Sequence, residues 1–216
     1  MLTPVLPIGD VVEPSSPAAK PRRQNMKAVR YELRPLDPDA DVDDLFVAGH
    51  EGLGADMLWT YMAYGPFANR DAMHAWLRGC AATEDPLFFT VVERVTERRV
   101  GMCSFLSISP EMQRLEIGHI WYAPDHQGSG ISAEVAWMLL SEAFERLGYR
   151  RVEWKCNALN GRSRRAALKL GFGFEGIFRQ HMIVKGRNRD SAWFSMLDGE
   201  WPAARAALEA AVMRLR

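Results

Sequence analysis

Trp121-Tyr122-Ala123-Pro124-Asp125-His126-Gln127-Gly128-Ser129-Gly130-Ile131-Ser132 joins two stretches with different hydrophobic periods. Ahead of it, Leu115 to Tyr122 reads as a strand. Behind it, apolar residues recur at Ile131, Val135, Met138 and Leu139, then at Leu140, Ala143, Phe144 and Leu147, and Gly148 follows as a C-terminal cap. The segment is therefore a strand-to-helix turn. Its glycines let backbone amides converge on one point, and the helix dipole adds positive potential there, so a pyrophosphate fits. A glycine pair also serves any tight turn, which leaves the segment undecided when taken alone.

A competing reading takes Gly128, Gly130 and Ala133 as the dinucleotide fingerprint G-x-G-x-x-A, with Glu153 at the spacing of a ribose-binding acid. That fold needs successive strand-helix units on a parallel sheet. The chain upstream reads otherwise. Val29 to Leu36 alternates as a half-buried strand. Asp37-Pro38-Asp39 and Asn69-Arg70-Asp71 then open helices, and Leu87 to Val92, Val100 to Ser107 and Leu115 to Tyr122 form an antiparallel meander. Downstream, Arg151 to Cys156 is a strand and Asn160 to Leu170 a helix closed by Gly171. Strands follow at Phe174 to Phe178, His181 to Val184 and Ala192 to Leu197, with a turn at Gly186, Asn188 and Asp190, before a helix from Trp201 to Leu215. Only one strand-helix-strand unit is present. The layout is α+β: one mixed, mostly antiparallel sheet flanked by helices.

The 216 residues suit a single core, with residues 1–26 as a Pro-rich arm and 27–216 as the domain. Twenty-seven Lys and Arg balance 27 Asp and Glu, so nucleic acid is not expected as the ligand. Cys80, Cys103 and Cys156 show no C-x-x-C pair and no metal-ligand spacing. No stretch has the length of a membrane span, and Met1 to Ile8 lacks the basic region and cleavage site of a leader, so the expected location is the cytoplasm.

Gln127-Gly128-Ser129-Gly130-Ile131-Ser132 resembles the acetyl-CoA pyrophosphate loop of the GNAT N-acetyltransferases, Gln/Arg-x-x-Gly-x-Gly/Ala, with Ser132 at the usual Gly/Ala position. Asn160-Gly161-Arg162-Ser163, followed by Leu168-Lys169-Leu170-Gly171-Phe172, is similar to a second signature of that family, best matched in its RimJ/RimL-like branch. The resemblance covers about Val29 to Trp201. It implies a single GNAT-like domain whose twisted sheet splays to admit the pantetheine arm. It also implies that acetyl-CoA is held by Tyr122, Gln127, Gly128, Ser129, Gly130, Ile131, Ser132, Asn160 and Ser163, and that acetyl passes directly to an amine.

Such a transfer needs a base for the amine, donors for the developing oxyanion and a proton for the thiolate. Glu116, out of phase with apolar Leu115 and Ile117, is the leading base, with His119, Glu153 and His181 behind it; a structurally paired carboxylate is the plain alternative for any of them. Ser163 shares a helix face with Ala166, Ala167 and Leu170 and points inward. In the similar RimL-like enzymes a serine here lies beside the cofactor sulfur; otherwise it is a first-turn polar residue. Asn160 caps that helix, or binds pantetheine as in the family. Backbone donors near Trp121 to Ala123 would polarise the acetyl carbonyl. Cys103 and Cys156 read as buried thiols rather than acyl carriers. Trp59, Tyr61, Tyr64 and Phe67 are either core or walls of an acceptor pocket. The acceptor is a peptide N-terminus, expected with an open groove, or a small amine, expected with a closed pocket. Two other classes stay open: a non-catalytic CoA-binding module, and a nicotinamide-dinucleotide oxidoreductase. A homodimer through the C-terminal region or the arm has no residue-level argument.

Overall fold

A computed structural model describes residues 6–13 and 16–214; of the expected arm and C-terminal helix, residues 1–5, Pro14, Ser15 and Leu215 lie outside it. In chain order the elements are β1 (Met26–Lys27), β2 (Tyr31–Pro35), α1 (Pro38–His50), α2 (Ala55–Leu58), α3 (Arg70–Ala81), β3 (Leu87–Glu93), β4 (Arg99–Ser109), β5 (Arg114–Tyr122), α4 (Ile131–Ser141), β6 (Arg151–Asn157), α5 (Gly161–Lys169), β7 (Gly173–Val184), β8 (Arg187–Leu197) and α6 (Trp201–Met213). The helix starts follow capping chemistry: Asp37 accepts the amides of Asp39 and Ala40, Asn69 that of Ala72, and Asn160 that of Ser163.

The strands form one sheet in the order β1-β2-β3-β4-β5-β6-β8-β7. Among the described residues parallel pairing occurs only between β5 and β6. A dinucleotide-binding fold, with its run of parallel strands, is thereby excluded. Period-two alternation sends Phe89, Cys103 and Phe105 to a core with α4 and α6, and Phe88, Met102 and Trp121 to a second core with α1 and α3. The strands β3 and β4 are thus buried on both faces, which explains their continuous apolar runs in an antiparallel sheet, whereas β7 is exposed along most of its length.

Several sequence-based expectations change. α4 ends at Ser141 and one π-turn, Glu142–Arg146, finishes the predicted helix, with Gly148 at φ 75°. The two strands expected at Phe174–Phe178 and His181–Val184 are one strand, β7, with a register shift between Phe178 and Met182. Chain reversal occurs at Lys185-Gly186, both with positive φ, and Asn188 and Asp190 belong to β8. β1 and α2 are too short to leave a periodic signal. The described end of the arm is anchored: Ala18 N donates to Pro110 O (3.0 Å) and Ala19 N to Leu147 O (2.8 Å).

β5 and β6 pair at Arg114/Arg151, Leu115/Val152 and Glu116/Glu153 and then part, whereas β6 stays paired with β8 from Arg151/Leu197 to Asn157/Ser191. The sheet is split beyond Glu116. On the other side of β5, the register with β4 jumps from Ser104/Gly118 to Met102/Trp121, leaving His119, at φ 51°, in a bulge.

Candidate active site

The split is a continuous cleft. At one end it is walled by β5, the glycine loop and α5, with Tyr122, Gln127, Gly128, Ser132, Asn160 and Ser163 among the lining residues. Gly128 and Gly130 take φ of 81° and 94°, and Gly130, at the N-cap of α4, has no side-chain cap. Among the described residues the amides of Gly128, Gly130, Ile131 and Ser132 donate to no protein acceptor. A Cβ on Gly128 would meet nothing within 4 Å, so the loop faces open space. Unpaired donors at a helix N-terminus fit a pyrophosphate-bearing group. Arg162 and Arg165 line the same end, and neither is ion-paired among the described residues.

The remaining loop residues hold the loop itself. Ser129 gives its hydroxyl to His126 O (2.7 Å), and its carbonyl accepts from Arg30 Nη2 (2.6 Å); Ile131 is fully buried and packs in the core rather than facing the cleft. Gln127 Nε2 donates to Tyr122 O (3.2 Å), and Ser132 hydrogen-bonds to the Tyr122 phenol, which ties the loop to β5. That tie gives a use for Ser132 where the family has Gly or Ala.

At the other end lies a cavity of about 270 Å³ that contains Glu116, His119, Lys155, Cys156, Asn160, Ser163, His181 and Arg189. Glu116 sits where β5 and β6 part, 4% exposed, with Lys155 Nζ at 2.6 Å and Ser107 Oγ at 3.4 Å. Burial raises its carboxyl above the usual range, and Lys155 partly opposes that. His119 shares a 2.8 Å hydrogen bond with Ser104 and packs beside Phe88 and Tyr64; burial, with the charge of Arg189 second, lowers its pKa to about 4. A neutral imidazole of such low basicity is a poor proton acceptor. Glu153 pairs with Arg151 at 2.9 Å and with Arg114, outside the cavity, while His181 lies at its exposed rim, bonded to Ser191.

Ser163 links the two ends, lining both. Its Oγ accepts from Trp154 Nε1 (3.0 Å), and its hydroxyl proton is left as a donor with the Cys156 sulfur as its neighbour. The cysteines are buried and unpaired, and burial raises all three thiols, Cys80 to about 12. None is an activated nucleophile. The aromatic group divides: Trp59, Tyr64 and Phe67 pack in the core with α1 and α3, while Tyr61, together with one side of Tyr64, lines the cavity.

Residues 30–173 match the Acetyltransferase (GNAT) domain. This chain belongs to the GNAT acetyltransferase family. A solved GCN5-related N-acetyltransferase from Brucella melitensis superimposes with a TM-score of 0.89 at 40% identity, covering 92% of this chain and 90% of that one. An uncharacterised N-acetyltransferase, p20, of Bacillus licheniformis is 32% identical over 113 residues, 52% of this chain and 63% of that protein. The ribosomal-protein-serine acetyltransferase of Escherichia coli, from the branch that the second signature resembles, is 35% identical over 81 residues, 38% of this chain. The matches span between 45% and 63% of the curated relatives' lengths.

Within this GNAT chain, sequence reasoning missed three supports of the cleft. Glu134, fully buried in the first turn of α4, accepts from Arg30 Nε (3.0 Å) and from the amides of Arg30 (2.8 Å) and Tyr31 (3.3 Å), which fastens the glycine loop to β2. Its only signal was a Glu early in a helix, the ordinary preference near a positive dipole end. Lys185, at the β7–β8 turn, donates to Trp59 O (2.9 Å), and Tyr61 donates to Leu159 O (3.3 Å), so two bridges cross the cleft. Arg189 completes the set; it stands in phase with Ser191 and Trp193 on β8, a pattern visible in the sequence but without a partner to give it meaning.

Proposed function

We propose that the protein is an acetyl-CoA-dependent N-acetyltransferase acting on a small amine or a chain terminus that enters the bridged cleft. What carries the reading is the split between β5 and β6, with unpaired amides of the α4 N-terminus at one end and a buried Glu116 at the other. Acetyl-CoA, when bound, supplies the thioester acetyl group. The amides of Gly128, Gly130 and Ser132 would hold its pyrophosphate, with Arg162 and Arg165 nearby, and Asn160 and Ser163 line the path toward Glu116. Glu116, lifted by burial, would take the proton from the amine and release it to solvent, with the Lys155 ammonium holding the carboxylate in place; Ser163 would hydrogen-bond the leaving sulfur and relay a solvent proton to it. Backbone around the His119 bulge, close to the expected Trp121 to Ala123, supplies donors for the carbonyl oxygen. No helix among the described residues is long and apolar enough to cross a membrane. That fact and three unpaired thiols support a cytoplasmic enzyme.

Calorimetric titration with acetyl-CoA, with NAD as comparison, tests the reading. The expected result is micromolar acetyl-CoA binding that Gly130→Trp abolishes and no comparable NAD binding, followed by thiol release with an amine panel. Absence of acetyl-CoA binding, or preference for NAD, overturns it; binding with no thiol release from any amine leaves a CoA-binding module.

A further inference from the structure

We infer that Arg189 makes the acceptor end of the cleft a receptor for amines that also carry an anionic oxygen group, a carboxylate in the first instance. The inference rests on the reading that this cavity receives the amine. The charges facing the cavity do not cancel. Glu116 is taken up by Lys155 at 2.6 Å, and His119 is neutral. His181 bonds Ser191 at the rim. Arg189 lines the same cavity, half-buried, and among the described residues it has no acidic partner. Its Nε is shielded from water without a hydrogen-bond acceptor. The neighbouring carboxylate, Asp190, is turned away, accepting from Gln180 N (2.8 Å) and Asn188 Nδ2 (3.0 Å).

Tyr64 lines the cavity as well, but its hydroxyl is enclosed and faces no open space. Holding the Nε of Arg189 away from water without an acceptor costs free energy that an oxyanion reaching this guanidinium offsets. The charge of Arg189 is also felt within the cleft, depressing the basicity of His119. The acceptor would therefore place its amine at Glu116 and its anionic end at Arg189, whether it is a free amino acid or a peptide with an acidic residue near its N-terminus. Arg189 is a specificity residue in this reading and takes no part in proton transfer.

The test uses pairs matched in size and amine basicity: aspartate with asparagine, glutamate with glutamine, and short peptides with Asp or Asn after the first residue. The full chain with saturating acetyl-CoA is expected to favour the anionic member of at least one pair by about tenfold or more in kcat/KM. Free amino acids and peptides separate the two sources. Arg189→Gln should bring that ratio close to one, Arg189→Lys should keep part of it, and Arg189→Glu should invert it. Acetyl-CoA titration of each variant reports folding. Affinities of the same pairs, measured with CoA present, give the ratio independently of turnover, so failure of acetyl transfer and failure of charge selection are read separately. A ratio near one for every pair in the unmodified protein, or a preference that survives Arg189→Gln, overturns the proposal.

Discussion

Glu116 and Glu134 are both buried glutamates next to the cleft, 4% and 0% exposed, and each has a basic side chain within 3.0 Å. They differ in how many donors serve the carboxylate. Glu134 accepts from the Arg30 side chain and from the amides of Arg30 and Tyr31, which leaves it no capacity to act on anything else. Glu116 has Lys155 and one long contact to Ser107, faces a cavity, and is held above the usual carboxylate range by its burial. Burial marks neither as catalytic; what separates a proton acceptor from a rivet is the unsatisfied capacity of its oxygens.

The largest effect that would sharpen this contrast is Glu116→Gln, expected to lower kcat roughly 10²- to 10⁴-fold with little change in urea midpoint. Because burial raises the pKa of Glu116, the base is formed as pH climbs through a value above the ordinary carboxylate range. The rising limb that it sets in kcat/KM should vanish in the variant. A full rate in Glu116→Gln would move the base elsewhere. Glu134→Ala should do the reverse, costing about 3 kcal/mol in urea unfolding while turnover per folded, cofactor-saturated molecule stays within a few fold. A cost below about 1 kcal/mol would erase the distinction between the two glutamates.

Glu175 extends the comparison to a solvent-facing site. Arg151 grips it through two bonds of 2.7 and 2.6 Å and Ser195 adds a third, which lowers its pKa to about 2. A depressed carboxylate stabilises the fold above its unfolded pKa and loses that contribution as pH falls toward the folded value. Glu175→Gln should therefore show a small drop in thermal midpoint at neutral pH that shrinks as pH falls from about 4.5 toward 2; a difference that grows on acidification would contradict it.

The contrast also shows where sequence reading works. Asp37, Asn69 and Asn160 announced their helices because capping is a local interaction, and the glycine loop was legible because φ above zero demands a particular residue. Period gave the succession of strands from β2 to β6, but not β1, the unity of β7 or the order of strands in the sheet. The split between β5 and β6 left no such trace, since Ile117 to Tyr122 reads as strand whether or not a neighbour pairs with it. Likewise, Glu134 meets Arg30 across 104 residues and Lys185 meets Trp59 across 126, distances over which local pattern carries no information. Glu116 was singled out by its phase on β5; its environment, which decides its chemistry, is assembled from β6 and the β4 edge.

Because the cleft is cut through the sheet rather than hollowed into one face, it has two mouths that meet at Ser163. Donor and acceptor need not take turns at a shared doorway. Both reside on the protein at once, initial-rate plots for the two substrates should intersect rather than run parallel, and the acetylated product departs without waiting for the spent thiol to clear.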